Sequence, residues 1–272
     1  MRAINAEFAK LFTTRLWWVL ALILFIYITI LAGGLAWLFG GIQSGAITPR
    51  GGGTGAGAPE LNNLPALIYS FASSVGYVFP VLLGALATTG EFRHQTLTPT
   101  FLANPRRVSV LSAKSISMLI IGAGLGVVAL LASIGVGAIV LNVFGVDPAL
   151  GDLDTWAQAG RSILAMALWA TIGVGLGVLV PSQVASIVIV LAFTQFVEPL
   201  LRLASSFIEA TANIGKFLPG AASDALVGAS FFTISSPATA VLTWWQGGLV
   251  LVAYAVVATV AGYFSSWKKD VT

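Results

Sequence analysis

The sequence predicts an all-α membrane protein with six transmembrane helices. Only 8% of its 272 residues are charged and 57% are hydrophobic, whereas soluble domains contain about 25% charged residues. Six apolar runs have roughly the 20-residue length that crosses a bilayer, and paired tryptophans near run ends are typical of the membrane interface. The runs cover residues 16–39, 64–89, 115–143, 162–180, 184–201 and 239–267.

The distribution of lysine and arginine predicts that both termini are cytoplasmic. In that orientation nine basic residues lie inside and four outside, in agreement with the positive-inside rule. The inside set is Arg2, Lys10, Arg15, Arg93, Arg106, Arg107, Lys114, Lys268 and Lys269, and the outside set is Arg50, Arg161, Arg202 and Lys216. Because the basic excess belongs to these inside loops, we expect no nucleic-acid partner.

Residues 1–14 are predicted to form an amphipathic helix in the inner headgroup plane. Its apolar side carries Ile4, Phe8, Leu11 and Phe12 at helical spacing. Glu7 and Lys10 fall elsewhere on the helix. The alternative is that this segment is the solvated start of the first span.

Residues 90–107 form a compact polar segment, predicted as a cytoplasmic loop between the second and third spans. It contains Glu91, Arg93, His94, Arg106 and Arg107, and His94 is the only histidine of the chain. An apolar ridge at helical spacing is predicted from Leu97, Phe101 and Leu102. Thr98 is the expected N-cap of a short helix with Pro99 in its first turn. Such a helix is suited to docking a soluble partner.

Residues 202–238 are predicted as an extracellular or re-entrant region before the sixth span. Residues 213–224 are too polar to cross a bilayer, and residues 225–233 are apolar but too short. This pattern favours short helices that partly enter the outer leaflet, which is tolerated only where protein or water covers the backbone. We assign all of residues 1–272 to one transmembrane domain.

Glu198 is the most unusual residue within a predicted span. It lies about 14 residues into the fifth run, or ~21 Å along a helix, and Arg202 follows on the same face. A charge at that depth usually faces a cavity or the bundle interior, where the pair would line a translocation path or gate. Alternatively, the fifth span ends early and both residues reach the outer interface.

Two glycine patterns predict close packing of helices. Gly122 with Gly126, and Gly173 with Gly177, each form a GxxxG motif within a span. The helix that packs against each motif could belong to the same chain or to a second copy in a dimer.

The stretch GEFRHQTLTPTFLANPRRVSVLSAKS, residues 90–115, resembles the segment after the second span in ABC-2 type transporter permeases. Glu91 matches a glutamate that opens a short coupling helix, Thr96 and Leu97 match the following turn, and residues 105–107 match its Pro-Arg ending. Gln95 stands where many relatives have glycine. Residues 217–222 are similar to the stretch before the last span in actinobacterial-type members.

The resemblance implies a permease subunit of the bacterial plasma membrane, forming an export path for a hydrophobic or amphipathic substrate. A second permease copy or a homologous permease, and separate ABC ATPase subunits, are the implied partners. Contacts with the ATPase are implied for Glu91, Arg93, His94, Thr96, Leu97, Phe101, Leu102, Arg106 and Arg107. In this interpretation Glu91 and Arg93 form ion pairs with the ATPase, and the apolar ridge fills a groove on it.

The sequence contains no P-loop, so we expect ATP and Mg²⁺ to bind the partner ATPase. We expect this chain to be no enzyme and to hold no cofactor or metal. Another interpretation is a non-transporting sensor or immunity subunit that also binds an ATPase. An intramembrane enzyme is less favoured, because His94 lies outside the spans and no HExxH motif occurs.

Overall fold

The computed structural model describes residues 2–47, 63–207, 213–230 and 242–268, and the regular secondary structure of these residues is helical. Within them, six helical segments are long and apolar enough to cross a membrane. These are Leu16–Gln43, Leu64–Arg93, Arg107–Val143, Leu153–Leu179, Gln183–Ser205 and Trp244–Trp267. The chain is therefore a multi-pass, all-helical membrane protein, as the sequence predicts.

The helices are numbered in chain order. They are α1 Arg2–Phe12, α2 Leu16–Gln43, α3 Leu64–Ser74, α4 Val78–Arg93, α5 Leu97–Ala103, α6 Arg107–Val143, α7 Leu153–Leu179, α8 Gln183–Ala192, α9 Glu198–Phe207, α10 Pro219–Val227 and α11 Trp244–Gly262. A π-helical turn, Phe193–Val197, joins α8 to α9, and a second one, Tyr263–Trp267, extends α11.

Several helix ends differ from the predicted spans. The third span begins at Arg107 instead of residue 115, and the fourth begins at Leu153 instead of residue 162. The predicted runs stop at polar or charged residues, whereas the helices continue past them, as α6 does through the buried Lys114. Residues 48–62 between the first two spans, and residues 208–212 and 231–241 of the predicted re-entrant region and sixth span, lie outside the described residues.

The central helix of the bundle is α7, which packs against α4, α6 and α11. Gly122 of α6 lies directly against the backbone of α7 at Met166 and Ala167. Gly173 of α7 lies against the backbone of α4 at Val81. The glycines of both motifs therefore bring helices of the same chain into close contact.

The second predicted span is interrupted between α3 and α4. The backbone there passes so close to Ala72 and Leu24 that Gly76 has no room for a side chain. Pro80 lies in the first turn of α4, where its missing N–H is tolerated. The interruption places the aromatic ring of Tyr77 inside the bundle, stacked on Trp169 of α7 with ring centroids 4.4 Å apart.

The short helix α10 is buried within the bundle, against α3, α7 and α11. The indole Nε1 of Trp169 donates a hydrogen bond to the Ser223 hydroxyl over 3.1 Å. Gly247 of α11 allows the backbone of α10 to approach at Ala222. A short helix thus occurs before the last span, as predicted, and it fills a gap between longer helices.

Candidate functional site

Four charged residues from three helices meet at one end of the bundle, and we call them the four-charge cluster: Glu7, Lys10, Glu91 and Lys114. The ammonium group of Lys10 lies 2.7 Å from Glu7 Oε1 and 2.8 Å from Glu91 Oε1. The ammonium group of Lys114 lies 2.5 Å from Glu7 Oε2 and 3.0 Å from Glu91 Oε1. The cluster therefore joins α1, α4 and α6 through ion pairs of balanced charge.

The ion pairs among these four groups are strengthened because most of the side chains are buried away from water. Lys114 is only 2% exposed, and Glu7 and Glu91 are also buried. Burial alone would raise the pKa of Glu7, but the Lys114 and Lys10 ammonium groups outweigh it and lower that pKa. Burial would lower the pKa of Lys10, but hydrogen bonds to Glu7 and Glu91 outweigh it and raise that pKa. Both shifts favour the charged forms of Glu7 and Lys10.

The cluster gives both glutamates partners that the sequence did not indicate. The carboxylate of Glu7 is buried against Lys114. Glu91 Oε1 accepts from both lysines of this chain. Both glutamates find partners on other helices, which the spacing along one helix does not reveal.

The short helix α5 follows α4 after a tight turn, and it begins at Leu97. Thr96 is therefore the N-cap residue, where the sequence indicated Thr98, although Pro99 does lie in the first turn. Gln95 adopts φ +54° in this turn, a left-handed conformation that glycine accepts without steric cost. Thr100 receives a hydrogen bond from Lys10 over 3.3 Å, which connects α5 to the four-charge cluster.

The predicted apolar ridge on α5 is largely used inside the chain. Leu97 is buried in the core, and it is the first residue of α5, which starts two residues earlier than predicted. The ring of Phe101 packs edge-on against Trp267 and beneath the guanidinium of Arg107. Leu102 is 82% exposed. Of the three ridge residues, Leu102 alone leaves its side chain largely free for a partner.

Some of the remaining residues predicted to contact the ATPase form hydrogen bonds within this chain, and others are exposed. Arg107 donates hydrogen bonds to the backbone carbonyls of Trp267 and Lys268, at the end of the last span. Arg93 is exposed and donates to the Gln183 side chain at the start of α8 over 2.8 Å. His94 and Arg106 are exposed.

A second polar cluster lies deep in the bundle, and we call it the three-charge cluster: Glu198, Arg202 and Asp224. Arg202 donates to Glu198 Oε1 over 3.0 Å and to Asp224 Oδ2 over 2.6 Å. The backbone N–H of Ala221, in the first turn of α10, donates to the same Glu198 oxygen over 3.1 Å. The guanidinium thus bridges the fifth span to α10.

The predicted ion pair between Glu198 and Arg202 is present in the structure. Glu198 is 1% exposed, so its side chain faces the interior of the bundle. Asp224 was missed from the sequence, because it lies 22 residues from Arg202 on another helix. Its polar sequence neighbours suggested a loop and gave no signal of burial.

A cavity of about 170 Å³ adjoins the three-charge cluster. Its lining includes Glu198, Arg202, Ser74, Tyr77 and Gln195. The Ser74 hydroxyl donates to Asp224 over 3.0 Å, which links the end of α3 to the same cluster. The cavity is therefore bounded by the interruption of the second span, the π-helical turn of the fifth span and the charged cluster.

In the described residues, no group of three or more histidine, cysteine, aspartate or glutamate side chains could hold a metal ion. The fold and its two clusters are therefore the basis for a functional assignment. Neither protein-family models nor curated proteins give a match to this sequence.

Proposed function

We propose that this chain is the membrane-spanning permease subunit of an ABC-2 type exporter. A separate ATPase would supply the energy, and the chain would form the path for a hydrophobic or amphipathic substrate. The observation that carries the proposal is α5, a short helix that exposes Leu102 and contacts α1, the third span and the sixth span at one end of the bundle.

The turn before α5 supports the resemblance on physical grounds. Many ABC-2 type permeases have glycine where this chain has Gln95, and Gln95 adopts φ +54°. A left-handed residue is uncommon outside glycine. The backbone geometry that glycine provides in those relatives is therefore preserved here despite the change of residue.

The attachments of α5 provide a route from its surface to the transmembrane helices. Lys10 links Thr100 to Glu91 at the end of α4. On the other side of the helix, Phe101 packs against Trp267 at the end of the sixth span. A partner that binds Leu102 and shifts α5 would also shift the second and sixth spans. The reason is that any movement of α5 disturbs the contacts of Thr100 and Phe101.

The three-charge cluster is suited to closing the opposite part of such a path. Arg202 ties the fifth span to α10 through Asp224, and α10 in turn packs on the central helix α7. Separation of α9 from α10 would break the Arg202–Asp224 contact and the hydrogen bond from the Ala221 N–H to Glu198 together. We propose that this cluster is a gate that opens during the transport cycle.

The docking surface can be tested with matched exposed leucines. An ABC ATPase encoded beside the gene would be co-expressed with the chain, and the complex purified in mild detergent. Leu102→Glu should abolish co-purification of the ATPase and its stimulated ATP hydrolysis. Leu153→Glu, at the start of α7 and 86% exposed, should leave both unchanged. Equal retention of the ATPase by Leu102→Glu would contradict docking through α5.

Transport distinguishes an exporter from a sensor or immunity subunit. Reconstituted vesicles containing the complex should accumulate or lose an amphipathic substrate in an ATP-dependent way. A complex that binds the ATPase and shows no ATP-dependent flux across compound classes would favour the non-transporting alternative.

The gate can be followed by cysteine labelling, since the chain has no native cysteine. With Glu198→Cys, a small water-soluble thiol reagent should react slowly at rest, because position 198 is buried. Trapping ATP on the partner should change that rate. Asp152→Cys, at an exposed position just before the fourth span, should react in both states. Fast labelling of Glu198→Cys in every state would rule out the gate.

A further inference from the structure

With both carboxylates ionised, the three-charge cluster carries an excess of negative charge. Two carboxylates, Glu198 and Asp224, share the single guanidinium of Arg202. The N-terminus of α10 adds about +0.5 charge at Glu198, which still leaves the group negative. In the four-charge cluster, by contrast, two carboxylates face two ammonium groups.

One oxygen of Glu198 has no hydrogen-bond partner among the described residues. Its Oε1 accepts from Arg202 and from the Ala221 N–H, whereas its buried Oε2 accepts from none. A buried carboxylate oxygen without a partner is costly. Glu198 also lines the 170 Å³ cavity. Oε2 is thus the unpartnered oxygen of a residue that lines the cavity, and it would be the acceptor for an occupant.

We infer that this cavity is a binding site for the ammonium group of a small amine. A single positive charge would offset the unpaired carboxylate charge, and Oε2 of Glu198 would accept its charge-assisted hydrogen bond. Ser74 and Tyr77 also line the cavity; their hydroxyls donate to Asp224 and to the Thr194 carbonyl, so their oxygens could accept from the ammonium group. An anionic group is excluded, because it would add charge to a cluster that is already negative.

The size of the cavity limits the part of the ligand that it can hold. Liquid water occupies about 30 Å³ per molecule, so 170 Å³ suits a group of about five or six non-hydrogen atoms. Gln195 lines the cavity and is also exposed on the bundle surface, beside the exposed ring of Phe196. A longer apolar tail would therefore leave through this side, which describes an amphipathic amine.

The idea that this amine is transported rests on the exporter proposal. The idea that it binds in the cavity does not. The test therefore uses the purified chain in lipid nanodiscs without an ATPase. Butylammonium has five non-hydrogen atoms, and butan-1-ol is its neutral counterpart of equal size. Binding is measured by ligand-observed NMR titration, together with the shift of the thermal unfolding midpoint.

We expect saturable binding of butylammonium, a rise in the unfolding midpoint, and no competition by butan-1-ol. Glu198→Gln should weaken binding at least about tenfold, since it removes the charge that makes this hydrogen bond strong. Asp154→Asn, an exposed carboxylate in the first turn of α7, should bind as the unaltered chain does.

Equal competition by butan-1-ol would overturn the inference, because the cavity would then select for apolar volume and not for charge. Unchanged affinity in Glu198→Gln would overturn it as well. The comparison of the two ligands needs only the unaltered chain, so it remains decisive if Glu198→Gln fails to fold. Failure of ATP-driven transport would leave this binding result intact and would count against the exporter alone.

Discussion

Lys114 of α6 donates a hydrogen bond to Glu91 at the end of α4 over 3.0 Å, and both side chains are buried. The same ammonium group also binds Glu7 of α1. A lysine near the start of a membrane-spanning helix thus holds an N-terminal helix and a neighbouring span together. The position of α5 depends on this contact, since Lys10 extends the cluster to Thr100.

Lys114→Met is expected to destabilise the chain by about 3–5 kcal/mol, the usual cost of leaving a buried charge without its partner. Glu7 would lose its shortest contact, and Lys10 alone would face two carboxylates. Thermal unfolding in detergent provides the measurement. Adding Glu7→Gln to Lys114→Met should restore part of the loss. Lys268→Met, at an exposed site, is the control, and an equal effect there would refute the buried cluster.

The four-charge cluster should make stability depend on pH at both extremes. The pKa of Glu7 is lowered from 4.5, so its contribution is present above that value and is lost as pH falls through the lowered pKa. The pKa of Lys10 is raised from 10.5, so its contribution is complete below that value and is lost as pH rises through the raised pKa.

The check is the unfolding midpoint as a function of pH for the unaltered chain and for Glu7→Gln. The difference between the two should be constant between about pH 5 and pH 10 and should shrink in stronger acid. A difference that disappears near neutral pH would show that the carboxylate of Glu7 is not held in its charged form.

Two glycines on α6 provide a matched test of helix packing. A Cβ at Gly122 would lie 2.6 Å from the Cβ of Ala170, whereas a Cβ at Gly124 would meet no atom within 4 Å. Gly122→Ala should therefore cost about 1–3 kcal/mol through overpacking. Gly124→Ala should be neutral or stabilise by up to about 1 kcal/mol through helix propensity. If the two variants unfold alike, α6 and α7 do not meet at Gly122.

Arg202→Met should destabilise the chain strongly, by about 3–5 kcal/mol, because two buried carboxylates would lose their shared cation. Arg202→Met combined with Asp224→Asn should be more stable than Arg202→Met alone, since one of the two negative charges is then removed. Chemical denaturation in mixed micelles would compare the two. A double variant that is weaker than Arg202→Met would show that Asp224 acts through something other than its charge.

The sequence was sufficient for the features that depend on local spacing. Length and apolarity identified the six spans, and the four-residue separation placed Glu198 and Arg202 on one face of a helix. The free-energy cost of a charge within a span pointed to burial of Glu198, with a position at the outer interface as the alternative. These arguments need no knowledge of how the helices are arranged.

Contacts between distant segments could not be predicted in the same way. Glu7 and Lys114 are 107 residues apart, and a charged residue on an amphipathic helix ordinarily faces water. Leu97 was assigned to an exposed ridge because its burial depends on where α5 packs and not on its helical period. Without aligned relatives, nothing in one sequence pairs Asp224 with Arg202.

The interruption of the second span and the π-helical turn of the fifth lie side by side, since the Tyr77 hydroxyl donates to the Thr194 carbonyl over 3.4 Å. Two neighbouring spans therefore depart from regular α-helical geometry at one level of the bundle. Regular helices resist bending, and sharp kinks form where their hydrogen-bond ladder is broken. This level is the natural hinge plane of the protein, so rigid segments on either side can tilt about it without any helix unfolding.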